Sequence, residues 1–296
     1  MSADHAFKKV IWAVDFLTEM PELEKQALAV LKVLDKSLNL EIQPVFVASS
    51  HPTLQKYLPT IIDEIGKRFA KYKCAALKPP IAIGEALNIA DGTKDEVDAL
   101  IKYAVKAQGD LIMVQTKASK GIKKFLLGSF AETLIMHSSL PVMTVNPNSS
   151  APRSLKKILF PFDLEEGSRQ AFVKVARLAK PLGAKVTLYH RLEAPSHYLG
   201  PYAHLMQEEY RLDKQDALKA AQDLVSVADA IGVKTEIIIE SKKARPSDSI
   251  VSYADKNDIT LIAMDTEKEE ASAFLLGSTG RDVIRKSDVP VWIVHS

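Results

Sequence analysis

Residues 8–15 read KKVIWAVD, and residues 156–163 read KKILFPFD. Each stretch begins with two lysines, continues as an apolar run and ends in aspartate, and the two lie 148 residues apart. Two further matches have an offset of 149 residues: FLLGS at 125–129 and 274–278, and LPVMTV at 140–145 with VPVWIV at 289–294. Three matches in the same order and at nearly constant spacing indicate a tandem duplication.

The duplication divides the chain into two domains, which we place at 1–148 and 153–296. A length of 296 residues is itself about twice that of a typical domain. Between the copies, residues 146–154 read NPNSSAPRS, and its Pro, Ser and Asn residues are typical of a linker.

Within each copy, short apolar runs alternate with longer segments of helical periodicity. This alternation predicts two Rossmann-like α/β domains, each with a five-stranded parallel sheet and flanking helices. In the first copy we predict strands at 10–14, 41–47, 80–86, 111–114 and 142–145, and helices at 19–38, 53–72, 94–107 and 129–137. In the second we predict strands at 157–162, 185–190, 235–240, 260–264 and 289–294, and helices at 168–180, 201–231, 246–256 and 277–286.

The composition excludes several classes of protein. Hydrophobic residues make up 47% of the chain and charged residues 26%, as in ordinary globular domains. The 39 Lys and Arg residues nearly balance the 37 Asp and Glu residues, so the charge gives no basis for a nucleic-acid partner. The apolar runs are far shorter than the roughly 20 residues of a membrane-spanning helix. The start, MSADHAFKK, lacks the apolar core of a secretory signal, and we therefore expect a cytoplasmic protein.

An aspartate ends the first strand of each copy, Asp15 in one and Asp163 in the other. Ligands of open parallel α/β sheets bind beyond the carboxyl ends of the strands. A carboxylate there can accept hydrogen bonds from a ribose hydroxyl or an adenine amino group. Alternatively it braces the following loop, as short polar residues often do. Position alone does not decide between the two.

A Gly-Ser pair opens the helix after the fourth strand of each copy, at Gly128–Ser129 and Gly277–Ser278. The free backbone N–H groups and the positive end of the helix dipole suit a phosphate at such a place. The alternative is a close packing contact that tolerates only glycine, followed by a serine cap.

The loops that precede these two helices differ in charge. The loop of the second copy, DTEKEEASAFLL at 265–276, has a net charge of −3. Its counterpart in the first copy attracts an anion, unless its lysines only solvate the surface. A nucleotide is therefore expected in the first copy and not in the second. The four lysines of the first loop are Lys117, Lys120, Lys123 and Lys124.

This pattern resembles the universal stress protein family in its tandem two-domain form. The resemblance rests on the strand-one aspartates, the fourth strands LIMV and LIAM, LLGS before a helix, and the closing strands PVMTV and PVWIV. It implies domains of the adenine nucleotide alpha hydrolase type. It also implies that the last strands, 142–145 and 289–294, pair within the chain as a pseudo-dimer, and it leaves further homodimerisation open.

The glycine pattern of the family's ATP-binding members is incomplete in this chain. Their loop after strand four reads Gly, two residues, Gly, nine residues, Gly, then Ser or Thr. The first two glycine positions fall on Gln115 and Ala118 here, and the second copy has no glycine in its shorter loop. A β-carbon at these positions limits close approach of the backbone to phosphates.

We therefore expect weak adenine-nucleotide binding in the first copy and a degenerate site in the second. The residues predicted to bind in the first copy are Asp15, Val114, Lys117, Gly128 and Ser129. Their degenerate counterparts in the second copy are Asp163, Gly277 and Ser278.

Other combinations of reactive residues give weaker signals. His190, His197 and His204 recur every seven residues, but they fall on a predicted strand end, a loop and a helix, so we expect no metal site. Cys74 is expected to be a small, half-buried core residue. Neither a G-x-S-x-G elbow nor a G-x-x-x-x-G-K-[ST] or G-x-G-x-x-G phosphate loop occurs.

The sequence thus predicts a non-enzymatic module of the stress response. Its ligand would be ATP or another adenine nucleotide, held without a metal, and its protein partner is unknown. We expect no nucleic-acid or membrane partner. Two alternatives stay open: a slow ATPase or other nucleotide-dependent enzyme, and an interaction protein that has lost nucleotide binding in both copies.

Overall fold

The computed structural model describes residues 7–15, 21–48, 52–84, 92–116, 127–146, 149, 152–193, 203–268, 274–275 and 277–295. Within these residues the chain forms eleven strands and eight helices. Of these helices, none has the length and apolar character needed to cross a membrane.

The elements of both halves follow the predicted alternation of strands and helices. Those of the first half are β1 (Lys9–Ala13), α1 (Pro21–Leu38), β2 (Glu41–Val47), α2 (Pro52–Ala70), β3 (Ile81–Ile83), α3 (Gly92–Lys106), β4 (Leu111–Gln115), α4 (Ser129–His137) and β5 (Val142–Val145). Those of the second half are β6 (Lys157–Pro161), α5 (Glu166–Leu182), β7 (Lys185–Glu193), α6 (Ala203–Ile231), β8 (Thr235–Lys242), α7 (Pro246–Lys256), β9 (Leu261–Lys268), β10 (Phe274–Leu275), α8 (Ser278–Lys286) and β11 (Val291–His295).

One continuous sheet runs through both halves, in the order β3-β2-β1-β4-β5-β11-β9-β6-β7-β8. The five strands that each half contributes to this order are parallel to one another, and the additional short strand β10 pairs with β9 outside it. The halves join where β5 pairs with β11 in antiparallel register, with Met143 opposite Trp292. The α/β architecture and the pairing of the last strands within the chain are therefore confirmed.

Alternating side chains of the buried strands place two hydrophobic cores on opposite faces of the sheet. Val10 and Trp12 of β1 point to the face that α1, α2, α5 and α6 cover. Ile11 and Ala13 point to the other face, under α3, α4, α7 and α8. Each core includes residues from both halves, so the two domains bury apolar surface together.

Local sequence signals fix the limits of several helices. Proline opens α1, α2 and α7, where its missing N–H would have no partner inside the helix. α5 ends at Gly183, which has a φ of 60° and donates to the carbonyl groups of Ala179 and Lys180. Glycine tolerates this left-handed conformation, which is why it is common just after the last residue of a helix.

Candidate functional site

A cavity of about 390 Å³ opens at the carboxyl ends of β1 and β4. From β1 the chain moves outward to β2 and β3 and then returns to β4 on the other side of β1. The cavity therefore lies at the topological switch point of the first domain, where open α/β sheets bind ligands. We call it the first-domain pocket. Its lining residues are Ala13, Val14, Asp15, Leu23, Glu24, Val45, Phe46, Val47, Leu54, Glu96, Val114, Gln115, Gly128, Ser129, Phe130 and Ala131.

Four of the five residues predicted for the first copy line this pocket: Asp15, Val114, Gly128 and Ser129. The fifth, Lys117, lies outside the described residues. Asp15 follows β1 and Val114 belongs to β4, which is the neighbour of β1 in the sheet. The switch-point argument thus brings together residues that lie about a hundred positions apart in the sequence.

The amino terminus of α4 lines the pocket, and its N-cap residue is a glycine, which has no side chain to cap the helix. Gly128 is the N-cap residue, has extended backbone with a φ of −65°, and makes no capping hydrogen bond through a side chain. The N–H of Glu132 makes the first bond of the helix, to the carbonyl of Gly128 at 3.0 Å. The backbone N–H groups of Ser129, Phe130 and Ala131 precede that bond, so they have no acceptor within the helix.

The alternative for the Gly-Ser pairs, a glycine packing contact followed by a serine cap, does not fit this geometry. Gly128 and Gly277 are the N-cap residues, and Ser129 and Ser278 are the first residues of their helices, so neither serine is a cap. A β-carbon added at either glycine would meet no atom of the described residues within 4 Å. Among the described residues, therefore, no packing contact requires either glycine.

Gln115 occupies the position of the family's first loop glycine and lines the pocket. Its side-chain Nε2 is buried and has no hydrogen-bond partner among the described residues. A buried amide without a partner costs about 1–3 kcal/mol, so such a group is usually satisfied by water or a ligand.

A buried carboxylate forms part of the pocket wall and was not predicted. Glu24 of α1 accepts hydrogen bonds from the guanidinium of Arg68 at 2.6 Å and from the hydroxyl of Tyr72 at 2.9 Å. Burial, together with the hydrogen bond to Glu24, raises the pKa of Tyr72 to about 12. The signal in the sequence that could have pointed to a buried Glu24 was its position beside Leu23, on the apolar face of an amphipathic helix. Its partners lie more than forty residues away and could not be read from it.

The aspartate at the matching place in the second domain is engaged by its own loop. Asp163 accepts hydrogen bonds from the Ser168 hydroxyl at 2.6 Å and from the backbone N–H of Glu165 at 3.1 Å. The same hydroxyl lies 3.2 Å from a carboxylate oxygen of Asp265, which occupies the position of Gln115 in the repeat. The contacts of Asp163 are therefore those of the loop-bracing alternative.

The chain between β9 and α8 also departs from a phosphate loop. β9 continues to Lys268 and pairs with β10 in antiparallel register, Lys268 opposite Phe274 and Glu267 opposite Leu275. β10 lies against α4 of the first domain. The predicted strand at 260–264 was therefore too short, and β10 was not predicted. An antiparallel strand pair therefore forms part of the stretch that was predicted to be a degenerate, acidic loop.

Ser168 should stabilise the second domain through its position between two carboxylates. Replacing Ser168 by alanine is expected to lower the free energy of unfolding by about 1–2 kcal/mol, because Asp163 and Asp265 lose their shared donor. Urea denaturation would measure the change. The control is Ser226→Ala, since the Ser226 hydroxyl donates to the carbonyl of Gln222 on an exposed part of α6. Equal stability of the two variants would contradict a bracing role.

The histidines and the cysteine lie apart from the pocket. His190 of β7 donates through Nδ1 to the carbonyl of Phe162 at 2.9 Å, and His204 is exposed on α6. His197 lies outside the described residues. Cys74 is half-buried against the core on the α1 and α2 face, as predicted. The described part of the chain contains no group of three or more His, Cys, Asp or Glu residues suited to a metal ion.

Comparison with known proteins gives consistent results along the whole chain. The profile of the universal stress protein family matches residues 6–146 and again residues 154–295. Universal stress protein MJ0531 of Methanocaldococcus jannaschii is 31% identical over 144 residues, which are 47% of this chain and 81% of that protein.

Two solved structures align with almost the full chain. A universal stress protein from Archaeoglobus fulgidus covers 97% of this chain and 98% of its own, with 21% identity and a TM-score of 0.66. The functionally unknown protein PA1789 from Pseudomonas aeruginosa covers 98% and 93%, with 13% identity and a TM-score of 0.63. At these identities the two structures show a common fold. Since the family profile matches each half separately, the chain belongs to the universal stress protein family, with two such domains in tandem.

Proposed function

We propose that this protein is a non-enzymatic binding module of the stress response that holds ATP or a related adenine nucleotide in the first-domain pocket. The observation that carries the proposal is the convergence of Asp15, Val114 and the uncapped start of α4 on one cavity at the switch point. The cavity's volume of about 390 Å³ is in the usual range for small-molecule sites.

The lining of the pocket matches the parts of an adenine nucleotide. Apolar side chains of Val45, Leu54 and Phe130 offer a surface for a purine ring. The Asp15 carboxylate is suited to accept hydrogen bonds from a ribose hydroxyl or the adenine amino group. The backbone N–H groups at the start of α4, with the positive end of the helix dipole, are suited to a phosphate.

The contacts of the second domain support the restriction to one site. There the carboxylates of Asp163 and Asp265 both lie within hydrogen-bond distance of the Ser168 hydroxyl, so two acidic groups stand together. Asp265 also places a negative charge where the first domain has the neutral Gln115. A polyphosphate would be repelled there.

The reactive groups of the pocket support binding more than catalysis. Ser129 is the one hydroxyl residue among the described lining residues, and the groups there that could act as a base are the carboxylates of Asp15, Glu24 and Glu96. A serine nucleophile normally needs a positioned base within hydrogen-bond reach. We therefore assign the pocket a binding role, with a slow ATPase as the alternative to be tested.

A negative charge introduced at Gly128 tests the proposed phosphate site. Gly128→Asp is expected to weaken ATP binding at least about tenfold, because it fixes a negative charge at the amino terminus of α4. Its φ of −65° and the open space around it mean that the aspartate fits without strain. The matched control is Gly277→Asp, at the same place in the repeat and equally unobstructed, which should leave the affinity unchanged. Isothermal titration calorimetry would measure both.

Three results would contradict the proposal. Absence of both heat and thermal stabilisation with millimolar ATP and the unaltered protein would remove the nucleotide site. A loss of binding in Gly277→Asp and not in Gly128→Asp would place the site in the second domain. ATP turnover that disappears in Gly128→Asp would make the protein an enzyme.

A further inference from the structure

An ion pair joins the two domains beside the first-domain pocket. The Arg281 guanidinium Nε of α8 lies 2.7 Å from Oε1 of Glu132 in α4. The two residues are 149 positions apart and therefore occupy the same place in the repeat. Their side chains are 41% and 34% exposed, so the pair is only partly accessible to water. The antiparallel pairing of β5 with β11 thus brings equivalent positions together, and these positions carry opposite charges.

Glu132 lies close to the end of α4 that faces the pocket. It follows Ser129 by three residues, a rise of about 4.5 Å along the helix. A carboxylate in the first turn interacts favourably with the helix dipole. For the same reason it competes with an anion bound at that end, and it repels the anion by Coulomb interaction.

The second domain therefore contacts α4 in two ways. Arg281 of α8 neutralises the carboxylate of Glu132. The β9–β10 hairpin lies against the same helix through β10. Both contacts come from the part of the second domain between β9 and the end of α8.

We propose that Arg281 is a positioning residue of the second domain that sets the anion affinity of the first-domain pocket by neutralising Glu132. This inference rests on the proposed function and concerns the phosphate part of the ligand. The second domain then contributes a positive charge to its neighbour's site.

Two amide substitutions separate this role from simple attachment of the domains. Arg281→Gln leaves Glu132 charged and is expected to weaken ATP binding about three- to tenfold. Glu132→Gln leaves Arg281 charged and is expected to tighten ATP binding about two- to threefold. The double variant should bind ATP about as well as the unaltered protein. A merely structural ion pair would give losses of the same sign in both single variants, because each breaks the same contact.

Adenosine provides the second readout, since it has no phosphate. Both single variants should bind adenosine with unaltered affinity, whereas a displaced α4 would weaken adenosine and ATP alike. The matched control is Lys185→Gln, which breaks the ion pair with Glu236 between β7 and β8. That pair is similarly exposed, at 48% and 42%, and lies away from the pocket. The control should leave both affinities unchanged.

Calorimetric titration with ATP and adenosine, accompanied by thermal unfolding to verify the fold, distinguishes the outcomes. Opposite effects of Arg281→Gln and Glu132→Gln on ATP alone would support the proposal. Equal losses, parallel losses for adenosine, or unchanged ATP affinity in both variants would overturn it and leave the nucleotide site in place. If the unaltered protein binds no ATP, the proposed function fails and this inference with it.

Discussion

Replacing Trp292 by alanine is expected to lower the free energy of unfolding by about 3–5 kcal/mol, the cost of truncating a large buried aromatic side chain. Trp292 lies in β11 opposite Met143 of β5 and is 1% exposed. Its ring meets Phe7, from the start of the first domain, edge-on at 5.4 Å. The cavity left by the substitution therefore opens where the two domains meet. We expect urea denaturation to change from one transition to two as the domains unfold separately.

The control for this experiment is Trp12→Ala. Trp12 is fully buried in β1 and stacks on Phe69 of α2 at 5.2 Å, within the first domain. A comparable loss of stability is expected, but without separation of the two transitions. A loss below about 1 kcal/mol for Trp292→Ala, or an identical pattern for both variants, would contradict a coupling role for Trp292.

Buried parallel strands and the helices that cover them could be predicted almost residue by residue. β5 and α4 begin and end at the predicted residues. Pro141 marks the start of the apolar run that forms β5, and the Gly-Ser pair marks the start of α4. The edge strand β3 was predicted too long. In the described part of the chain, β3 pairs with β2 over Ile81–Ile83, and residues 85–86 of the predicted strand lie outside that part. An edge strand has neighbours on one side only, so its sequence constrains it less.

The β9–β10 hairpin could not be predicted from its own residues. The stretch DTEKEE after Met264 lacks the alternating pattern of a strand and is rich in residues of low β propensity. Its pairing depends on β10, which lies against α4 of the other domain. A contact of this kind is set by tertiary structure and overrides local preference.

The pocket could be located from sequence because the rule for strand ends needs only the order of the strands. The hydrogen bond between Asp163 and Ser168 could also be predicted in part, because the two residues are only five positions apart in the sequence. The ion pair between Glu132 and Arg281 could not be predicted from the sequence. The repeat places them at one position, but only the antiparallel pairing of the domains brings them into contact.

His295 should make the stability of the protein depend on pH. It is 3% exposed at the end of β11 and contacts both domains. Its Nε2 donates to the carbonyl of Leu140 at 3.1 Å, and its Nδ1 accepts from the hydroxyl of Thr266 at 2.7 Å. Burial lowers the pKa of His295 to about 4. The hydrogen bond to Leu140 opposes this effect, and the nearby charge of Lys174 adds to it.

The direction of the effect follows from the lowered pKa. The unfolded chain binds a proton at His295 near its ordinary pKa of 6.5, whereas the folded chain resists protonation until about pH 4. The stability that the folded protein gains from the neutral His295 ring is therefore fully present above pH 6.5 and is lost as the pH falls towards 4. Between about pH 7.5 and about pH 5 the expected loss is about 2 kcal/mol.

His295→Asn removes the titration and keeps a donor at the same place. Asn146 occupies the matching position of the first domain, where its side-chain amide donates to the carbonyl of Ser287 across the domain boundary. In urea denaturation, the free energy of unfolding of the asparagine variant should therefore fall by about 2 kcal/mol less than that of the unaltered protein between about pH 7.5 and about pH 5. Parallel pH profiles would show that His295 does not titrate as described. Because the bond to Leu140 crosses between the domains, acid should weaken the same boundary that Trp292→Ala disrupts.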